Sequence, residues 1–176
     1  MNKANTKKPI RLLIVDDHPV VRAGLSSMLG KHRDLELSGV AASAEEATAM
    51  LARRPVDVVL LDLRMPKVNG IDAIQLFRQH ATPPRVIILS SFEFEEEIFR
   101  AVQAGARGYL TKEMSRDEIV AGIVAVHAGK EYFPPAIAAR AIETLASSSV
   151  SGCLPPCHVC SGIVCRATVN ASGSAR

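Results

Sequence analysis

Five polar side chains in this sequence directly follow short apolar runs, and together they could perform phosphoryl-transfer chemistry. They are Asp16, Asp17, Asp62, Ser90 and Lys112. Three crowded carboxylates repel one another, so such a group requires a cation. Oxygen donors without His or Cys among them favour a hard ion, and Mg2+ that keeps several waters fits best. With the ion and the ammonium group neutralising an incoming phosphoryl group, one carboxylate could attack it and form an aspartyl phosphate.

The elements that must position these side chains are strands alternating with helices. Apolar runs predict strands over residues 10–15, 35–40, 56–61, 85–89 and 109–110. Helical periodicity predicts helices over residues 18–29, 43–51, 71–80 and 92–104, and a last helix that opens at residue 115. Ser43 with Glu46 and Ser115 with Glu118 have capping-box spacing, and Pro66 and Gly70 mark a turn.

Continuous apolar strands are typical of a parallel sheet that is covered by helices on both faces. The sequence therefore predicts an α/β doubly wound, five-stranded parallel sheet. Ligands of such sheets bind beyond the carboxyl ends of the strands. Because the five polar side chains follow the first, third, fourth and fifth strands, they are expected to meet on one rim.

The composition argues against several classes of function. The chain has 176 residues, of which 48% are hydrophobic and 22% are charged, so it can bury a core and is not disordered throughout. A net charge of +3 does not indicate a surface for polyanions, and 4% aromatic residues without Trp argue against stacking on single-stranded nucleic acid. The short apolar runs exclude a membrane span, and no signal-peptide core follows the basic start, so we expect a cytoplasmic protein.

The chain divides into three segments. Residues 9–128 are predicted to form the compact domain, 129–148 a partly helical connector, and 149–176 a disordered tail rich in Cys, Ser and Gly. The tail contains all four cysteines, namely Cys153, Cys157, Cys160 and Cys165. With His158 they could hold zinc, but their spacing does not match the usual paired C-x2-C units, so a metal-free tail is favoured.

A resemblance to a known family rests on several motifs. They are DDHPVVR at residues 16–22, DLRMP at 62–66, NG at 69–70, Ser90, and GARGYLTK at 105–112. Over about residues 10–128 the sequence resembles receiver domains of bacterial two-component response regulators, in particular those of the NarL/FixJ subgroup. The resemblance implies a flavodoxin-like fold with strand order 2-1-3-4-5.

The resemblance also implies the chemistry of the rim. Asp62 would be the phosphoacceptor. Asp16 and Asp17 would hold Mg2+ with Asp62, Asp17 more directly than Asp16, and the backbone carbonyl of Arg64 would be a further ligand. Lys112 would pair with the phosphoryl oxygens.

A switch and its partners follow from the same resemblance. Ser90 would donate a hydrogen bond to the phosphoryl group and move toward it, and Tyr109 would change rotamer as it does so. The phosphoryl donor would be a sensor histidine kinase, and phosphorylation would favour a homodimer or alter partner binding. Apart from catalysing its own phosphotransfer and dephosphorylation, such a protein is not an enzyme.

Each residue also has a simpler interpretation. The aspartate pair before Pro19 could cap a helix, Asp62 could lie in a surface turn, and Tyr109 could be an ordinary core aromatic. We interpret His18 as a residue that starts a helix rather than as a catalyst. The glutamates of residues 93–97 are interpreted as a solvated helix face.

Two other functions remain to be weighed. Relatives of the NarL/FixJ type usually continue into a LuxR-type helix-turn-helix domain that binds DNA, but no such helices are visible after Val150, so DNA binding is not carried over to any residue. Back-translation of residues 152–163 in a second reading frame permits a sequence similar to the start of a LuxR-type domain. This suggests that the tail is an out-of-frame translation of a DNA-binding domain. A Mg2+-dependent aspartyl phosphohydrolase of the haloacid dehalogenase type would have Asp at position 64, where this chain has Arg.

Overall fold

The computed structural model describes residues 8–66, 68–91 and 95–133, and within them strands and helices alternate strictly. The strands are β1 (Ile10–Val15), β2 (Leu35–Ala41), β3 (Val58–Leu61), β4 (Arg85–Ser90) and β5 (Gly108–Thr111). The helices are α1 (Pro19–Leu29), α2 (Ala44–Leu51), α3 (Gly70–Arg78), α4 (Glu95–Ala104) and α5 (Arg116–His127). The predicted elements are thus confirmed to within a few residues, except that positions 92–94 at the start of the fourth predicted helix lie outside the described residues.

The strands form one parallel sheet in the order β2-β1-β3-β4-β5, as expected. The register aligns the carboxyl ends of the central strands. Val15 of β1 lies beside Ala41 of β2 and Leu61 of β3, and Ser90 of β4 lies beside Thr111 of β5. The residues that come next therefore emerge at one rim, which is what builds the site.

The central strands β1, β3 and β4 are buried on both faces because they carry apolar side chains at nearly every position, whereas the edge strand β2 is partly exposed. In β1, Leu13 and Val15 pack with α2, α3 and α4, whereas Leu12 and Ile14 pack with α1 and α5. Alternation of side chains across the sheet divides one continuous apolar run between two cores. This explains why the strands show no alternation of polar and apolar residues.

Capping residues fix where three helices begin. Ser43 accepts a hydrogen bond from the backbone of Glu46, and Asn69 accepts one from Asp72. Ser115 forms a complete capping box with Glu118, whose pKa is lowered by the hydrogen bonds that it receives from Ser115. Gly70, which the sequence placed in a turn, is instead the first residue of α3.

The chain that follows α5 covers the free edge of the sheet. Tyr132 forms an isolated parallel bridge to Gly108, in which its carbonyl accepts a hydrogen bond from Tyr109 N and its own N–H donates to Arg107 O. Pairing of this kind protects an exposed edge strand. Residues 134–148 of the predicted connector, the predicted tail 149–176 with its possible zinc ligands, and its suspected frame change lie outside the described residues.

In the described ranges, each helix falls short of the length and apolar character that crossing a bilayer would require.

Candidate functional site

Backbone hydrogen bonds continue past the strand ends and hold the rim residues in place. Asp62 N donates to Val15 O at 2.9 Å, and Lys112 N donates to Ser90 O at 3.0 Å. Asp16 N donates to Ala41 O at 3.2 Å. The side chains at the rim are thus anchored by the sheet rather than by the loops alone.

An acidic cluster forms at the ends of β1 and β3. Donor atoms of Asp16, Asp17, His18 and Asp62 all lie within 4.8 Å of one another. The side chains of Asp16 and Asp62 are only 2% and 5% exposed, whereas that of Asp17 is 24% exposed. The three predicted carboxylates are therefore brought together, and Asp17 is the one that solvent reaches most easily.

Lys112 reaches across the rim from the end of β5 and joins two of these carboxylates. Its Nζ lies 2.6 Å from Asp16 Oδ2 and 2.8 Å from Asp62 Oδ2. Burial lowers the pKa of Lys112, but the hydrogen bonds and charges of Asp16 and Asp62 outweigh it, and the net pKa is raised. The lysine therefore remains an ammonium ion at neutral pH.

Hydrogen bonds to the carboxylates orient the two loops that carry them. Asp16 Oδ1 accepts a hydrogen bond from His18 N at 2.8 Å, which closes an Asx turn. The carbonyl of Asp16 accepts one from the guanidinium of Arg22 at 2.6 Å. Asp62 Oδ1 accepts a longer one, 3.3 Å, from Arg64 N.

Close packing against Gly70 fixes the loop after Asp62. A Cβ atom on Gly70 would lie 2.6 Å from Asp62 O and 2.7 Å from the Cα of Leu63. Gly70 N also donates to Leu63 O at 2.9 Å. The start of α3 can approach the backbone of Asp62 this closely only because the residue there has no side chain.

The donor set fits a hard divalent cation. One ammonium group faces three carboxylates, so the cluster retains excess negative charge that a divalent ion would offset. Asp17 Oδ1 is buried yet accepts no hydrogen bond from the described residues, although His18 Nδ1 lies 2.8 Å away. Carboxylate and carbonyl oxygens are the ligands that Mg2+ prefers.

One member of this cluster, His18, is not among the metal ligands that the sequence predicts. His18 was interpreted as a residue that starts a helix, and it is the N-cap residue of α1, but its side chain makes no capping hydrogen bond. Its imidazole instead lies against Asp17 and, at 3.4 Å, Asp16 Oδ1. The donor set therefore contains a nitrogen as well as oxygens, and the contiguous Asp-Asp-His was the available signal.

Ser90 and Tyr109 lie on the neighbouring strands β4 and β5. Ser90 ends β4 with 1% of its surface exposed, and Tyr109 is fully buried. Ile88 is the register partner of Tyr109, and both pack in the core below α2–α4. Since residues two apart in a strand share a face, Ser90 lies on the same face as Tyr109.

An ion pair links the loop after β3 to α4. Arg64 Nη2 lies 3.4 Å from Glu97 Oε1, with both side chains partly exposed. Glu97, for which the sequence predicts a solvated helix face, is 38% exposed and also pairs with Arg64. The side chains of Glu93 and Glu95, from the same predicted face, lie outside the described residues.

Comparison with known families agrees with this geometry. Residues 12–124 match the response regulator receiver domain. The chain belongs to the response regulator receiver family. It therefore carries a receiver domain of the kind found in two-component systems, and family membership does not favour the phosphohydrolase alternative.

Individual relatives show which response regulators the chain resembles. It is 41% identical over 129 residues to the transcriptional regulatory protein MctR of Rhizobium johnstonii, a match that covers 73% of this chain and 60% of MctR. A LuxR-family response regulator from an Aurantimonas species superposes with a TM-score of 0.70 at 32% identity, covering 79% of this chain and 99% of that one. The receiver domain of NarL from Mycobacterium tuberculosis gives 0.67 at 30% identity, covering 70% and 100%.

The chain spans about three fifths of the length of MctR, so the rest of MctR lies outside the match. MctR is named as a transcriptional regulatory protein and the two solved structures as response regulators, and the resemblance to the NarL and LuxR group is confirmed.

Proposed function

We propose that Asp62 of this receiver domain accepts a phosphoryl group from a partner histidine kinase, and that its phosphorylation switches dimerisation or partner binding. The observation that carries the proposal is the contact of Asp62 Oδ2 with Lys112 Nζ at 2.8 Å, beside two further carboxylates. A nucleophilic carboxylate, a fixed cation and a cation-binding cluster are the parts that phosphoryl transfer needs.

In the proposed transfer, a carboxylate oxygen of Asp62 attacks the phosphorus of a phosphohistidine. The new O–P bond forms as the P–N bond breaks, and the kinase imidazole leaves with the electron pair and takes up a proton. Lys112 stays charged and pairs with the phosphoryl oxygens, and the hydroxyl of Ser90 donates a hydrogen bond to them. Dephosphorylation is the attack of water on the same acyl phosphate.

Asp16, Asp17, Asp62 and the carbonyl of Arg64 would hold Mg2+ in this site. When bound, the ion supplies positive charge against the oxygens of the transferred group. The Asx turn at Asp16 and the hydrogen bond from Arg64 N to Asp62 pre-orient these donors. Asp17, as the most exposed carboxylate, is the one best placed to meet an ion that arrives with its waters.

The conformational change that phosphorylation causes would begin at Ser90 and Tyr109. Movement of Ser90 toward the phosphoryl group would vacate space on the face that it shares with Tyr109, whose ring is fully buried. A buried aromatic of this size cannot shift without repacking its neighbours. The local charge change would thereby bias a two-state element that reaches the surface near α4, β5 and α5.

Intact-mass analysis after treatment with acetyl phosphate and Mg2+ tests the proposal. We expect the wild-type chain to gain one phosphoryl group only when Mg2+ is present, and Asp62→Asn to gain none. Asp72→Asn is the matched control, because Asp72 is an exposed aspartate on α3. An Asp62→Asn chain that is still phosphorylated to the wild-type extent would refute the assignment.

The names of the relatives favour a second function, regulation of transcription through DNA. All described elements belong to the receiver fold, so we assign DNA contacts to none of the described residues. We expect a gel-shift assay of the purified chain to give no specific complex. The nucleotide sequence provides a separate test, because a helical continuation in a second frame past residue 150 is what the suspected frame change requires.

A further inference from the structure

We propose that the imidazole of His18 is an additional ligand of the metal site, so that the site binds borderline ions such as Ni2+ more tightly than an all-oxygen site would. This inference rests on the proposed cation-binding role of the aspartates. It adds a nitrogen donor to them and thereby changes which class of ion the site prefers.

The spacing of the donor atoms supports a shared ion. His18 Nδ1 lies 2.8 Å from Asp17 Oδ1 and 3.4 Å from Asp16 Oδ1. Two donors that each bind one first-row metal at about 2.1 Å are separated by roughly 3 Å when they occupy neighbouring positions around it. Both distances from His18 Nδ1 are thus compatible with ligands of one ion, and all the donor atoms of the cluster lie within 4.8 Å of one another.

The local backbone holds His18 in this place. Its N–H is bound by Asp16 Oδ1, and Pro19 directly after it fixes the first residue of α1. The side chain of His18 makes no hydrogen bond that caps the helix. It is 63% exposed, so an ion with its waters can approach it from solvent.

The distribution of charge places the ion at the Asp17–His18 side of the cluster. Lys112 already contacts Asp16 Oδ2 and Asp62 Oδ2 at less than 3 Å. Asp17 Oδ1 instead contacts His18 Nδ1, at 2.8 Å. A cation bound between Asp17 and His18 would replace this direct contact with one bond to each donor.

A nitrogen donor matters little to Mg2+ and much to later first-row ions. Mg2+ prefers oxygen ligands and retains its waters, whereas imidazole suits Ni2+, Cu2+ and Zn2+. We therefore expect His18 to raise the affinity for Ni2+ selectively. Ni2+ is the better probe than Zn2+ because the cysteines of the chain compete more strongly for zinc.

The test is a calorimetric titration of the full chain with NiCl2 and, separately, with MgCl2. All four cysteines are alkylated beforehand, which leaves the described residues untouched because every cysteine lies between positions 153 and 165. The variants are His18→Ala and His18→Asn. The matched control is His32→Ala, because His32 also lies beside an aspartate, Asp34, but outside the cluster.

We expect both His18 variants to weaken Ni2+ binding by about tenfold or more while Mg2+ affinity changes by less than about twofold. Nickel-edge X-ray absorption of the wild type should show imidazole scattering that His18→Ala loses. Unchanged Ni2+ affinity in both variants would overturn the inference and leave His18 as a side chain that only contacts Asp17. Absence of Mg2+ binding by the wild type would instead count against the proposed function, so the two failures are distinguishable.

Discussion

Lys112 Nζ lies 2.8 Å from Asp62 Oδ2, although 50 residues of chain separate them. The contact joins the ends of β5 and β3 across β4, and Lys112 also reaches Asp16, directly after β1. One ammonium group thus balances the two most buried carboxylates of the rim. From this position Lys112 would also be able to pair with the oxygens of a phosphoryl group on Asp62.

Replacing Lys112 by Met should destabilise the domain when no divalent cation is present. Asp16 and Asp62 would then remain buried without the ammonium group that contacts both carboxylates, and we expect a loss of about 1–3 kcal/mol in the free energy of unfolding. Mg2+ should restore more stability to this variant than to the wild type, because the ion replaces the missing charge. Urea unfolding with EDTA or with Mg2+ measures both effects.

Lys130→Met is the control for that experiment, because Lys130 is an exposed lysine and its loss should change stability little. A Lys112→Met chain as stable as the wild type in EDTA would contradict the role assigned to the ammonium group.

Gly70→Ala should damage both stability and phosphorylation, and Gly24→Ala should damage neither. The new Cβ on Gly70 would meet the backbone of Asp62 and Leu63 at less than 3 Å, so the loop that carries the phosphoacceptor must shift. We expect a loss of about 1–3 kcal/mol and a severalfold slower gain of phosphoryl mass. Gly24 in α1 has open space around it, so Ala there should stabilise the helix by about 0.5–1 kcal/mol.

Urea unfolding and timed mass spectra of the two glycine variants provide the measurement. Equal behaviour of the two variants would show that close packing at Gly70 does not govern the loop.

Asp57 and Arg11 form a pair at the opposite end of the sheet that should govern part of the acid sensitivity. Hydrogen bonds from the Arg11 side chain, opposed by partial burial, lower the pKa of Asp57 below its ordinary value of 3.8. A lowered pKa in the folded state means that the stabilisation is present above 3.8 and is lost as pH falls through the folded value. Asp57→Asn should therefore cost about 1 kcal/mol near neutral pH and progressively less in acid.

Comparison of urea unfolding at neutral and acid pH checks this sign. Asp34→Asn is the control, because Asp34 is more exposed and its carboxylate lies 3.8 Å from Arg33 Nε and 3.9 Å from His32 Nδ1. A stability difference between wild type and Asp57→Asn that stays constant down to strongly acid pH would argue against the pair.

Ser90→Ala should separate phosphorylation from its consequence. Asp62, Lys112 and the acidic cluster remain, so the variant should still gain a phosphoryl group. The hydroxyl that would move toward it is gone, and we expect the phosphorylation-dependent gain in dimerisation to fall roughly fivefold or more. Sedimentation with and without acetyl phosphate measures this change.

Tyr109→Phe should reproduce the loss of coupling in weaker form, since the ring still fills its buried site. Ser91→Ala, one residue further and exposed, should behave like the wild type. Normal dimerisation of phosphorylated Ser90→Ala would rule out the proposed relay.

The sequence by itself determined the fold and the location of the rim. Five strand patterns between helical segments leave few topologies other than a doubly wound parallel sheet, since the apolar runs of β1, β3 and β4 must be buried on both faces. Asp62 and Lys112 directly follow such runs, so their place at the carboxyl edge follows from chain order. Helix capping at Ser43 and Ser115 could also be predicted from the sequence, because such a cap depends on two residues three positions apart.

Only the tertiary structure decided which atoms meet at that rim. The pairing of Lys112 with Asp16 and Asp62, the Arg64–Glu97 ion pair and the approach of Gly70 to the backbone of Asp62 all join different elements. The position of His18 beside Asp17 depends on how α1 leaves β1, which a helix-start pattern does not encode. Local spacing is fixed by covalent geometry, whereas distances between side chains from different elements depend on the packing of the whole sheet and its helices.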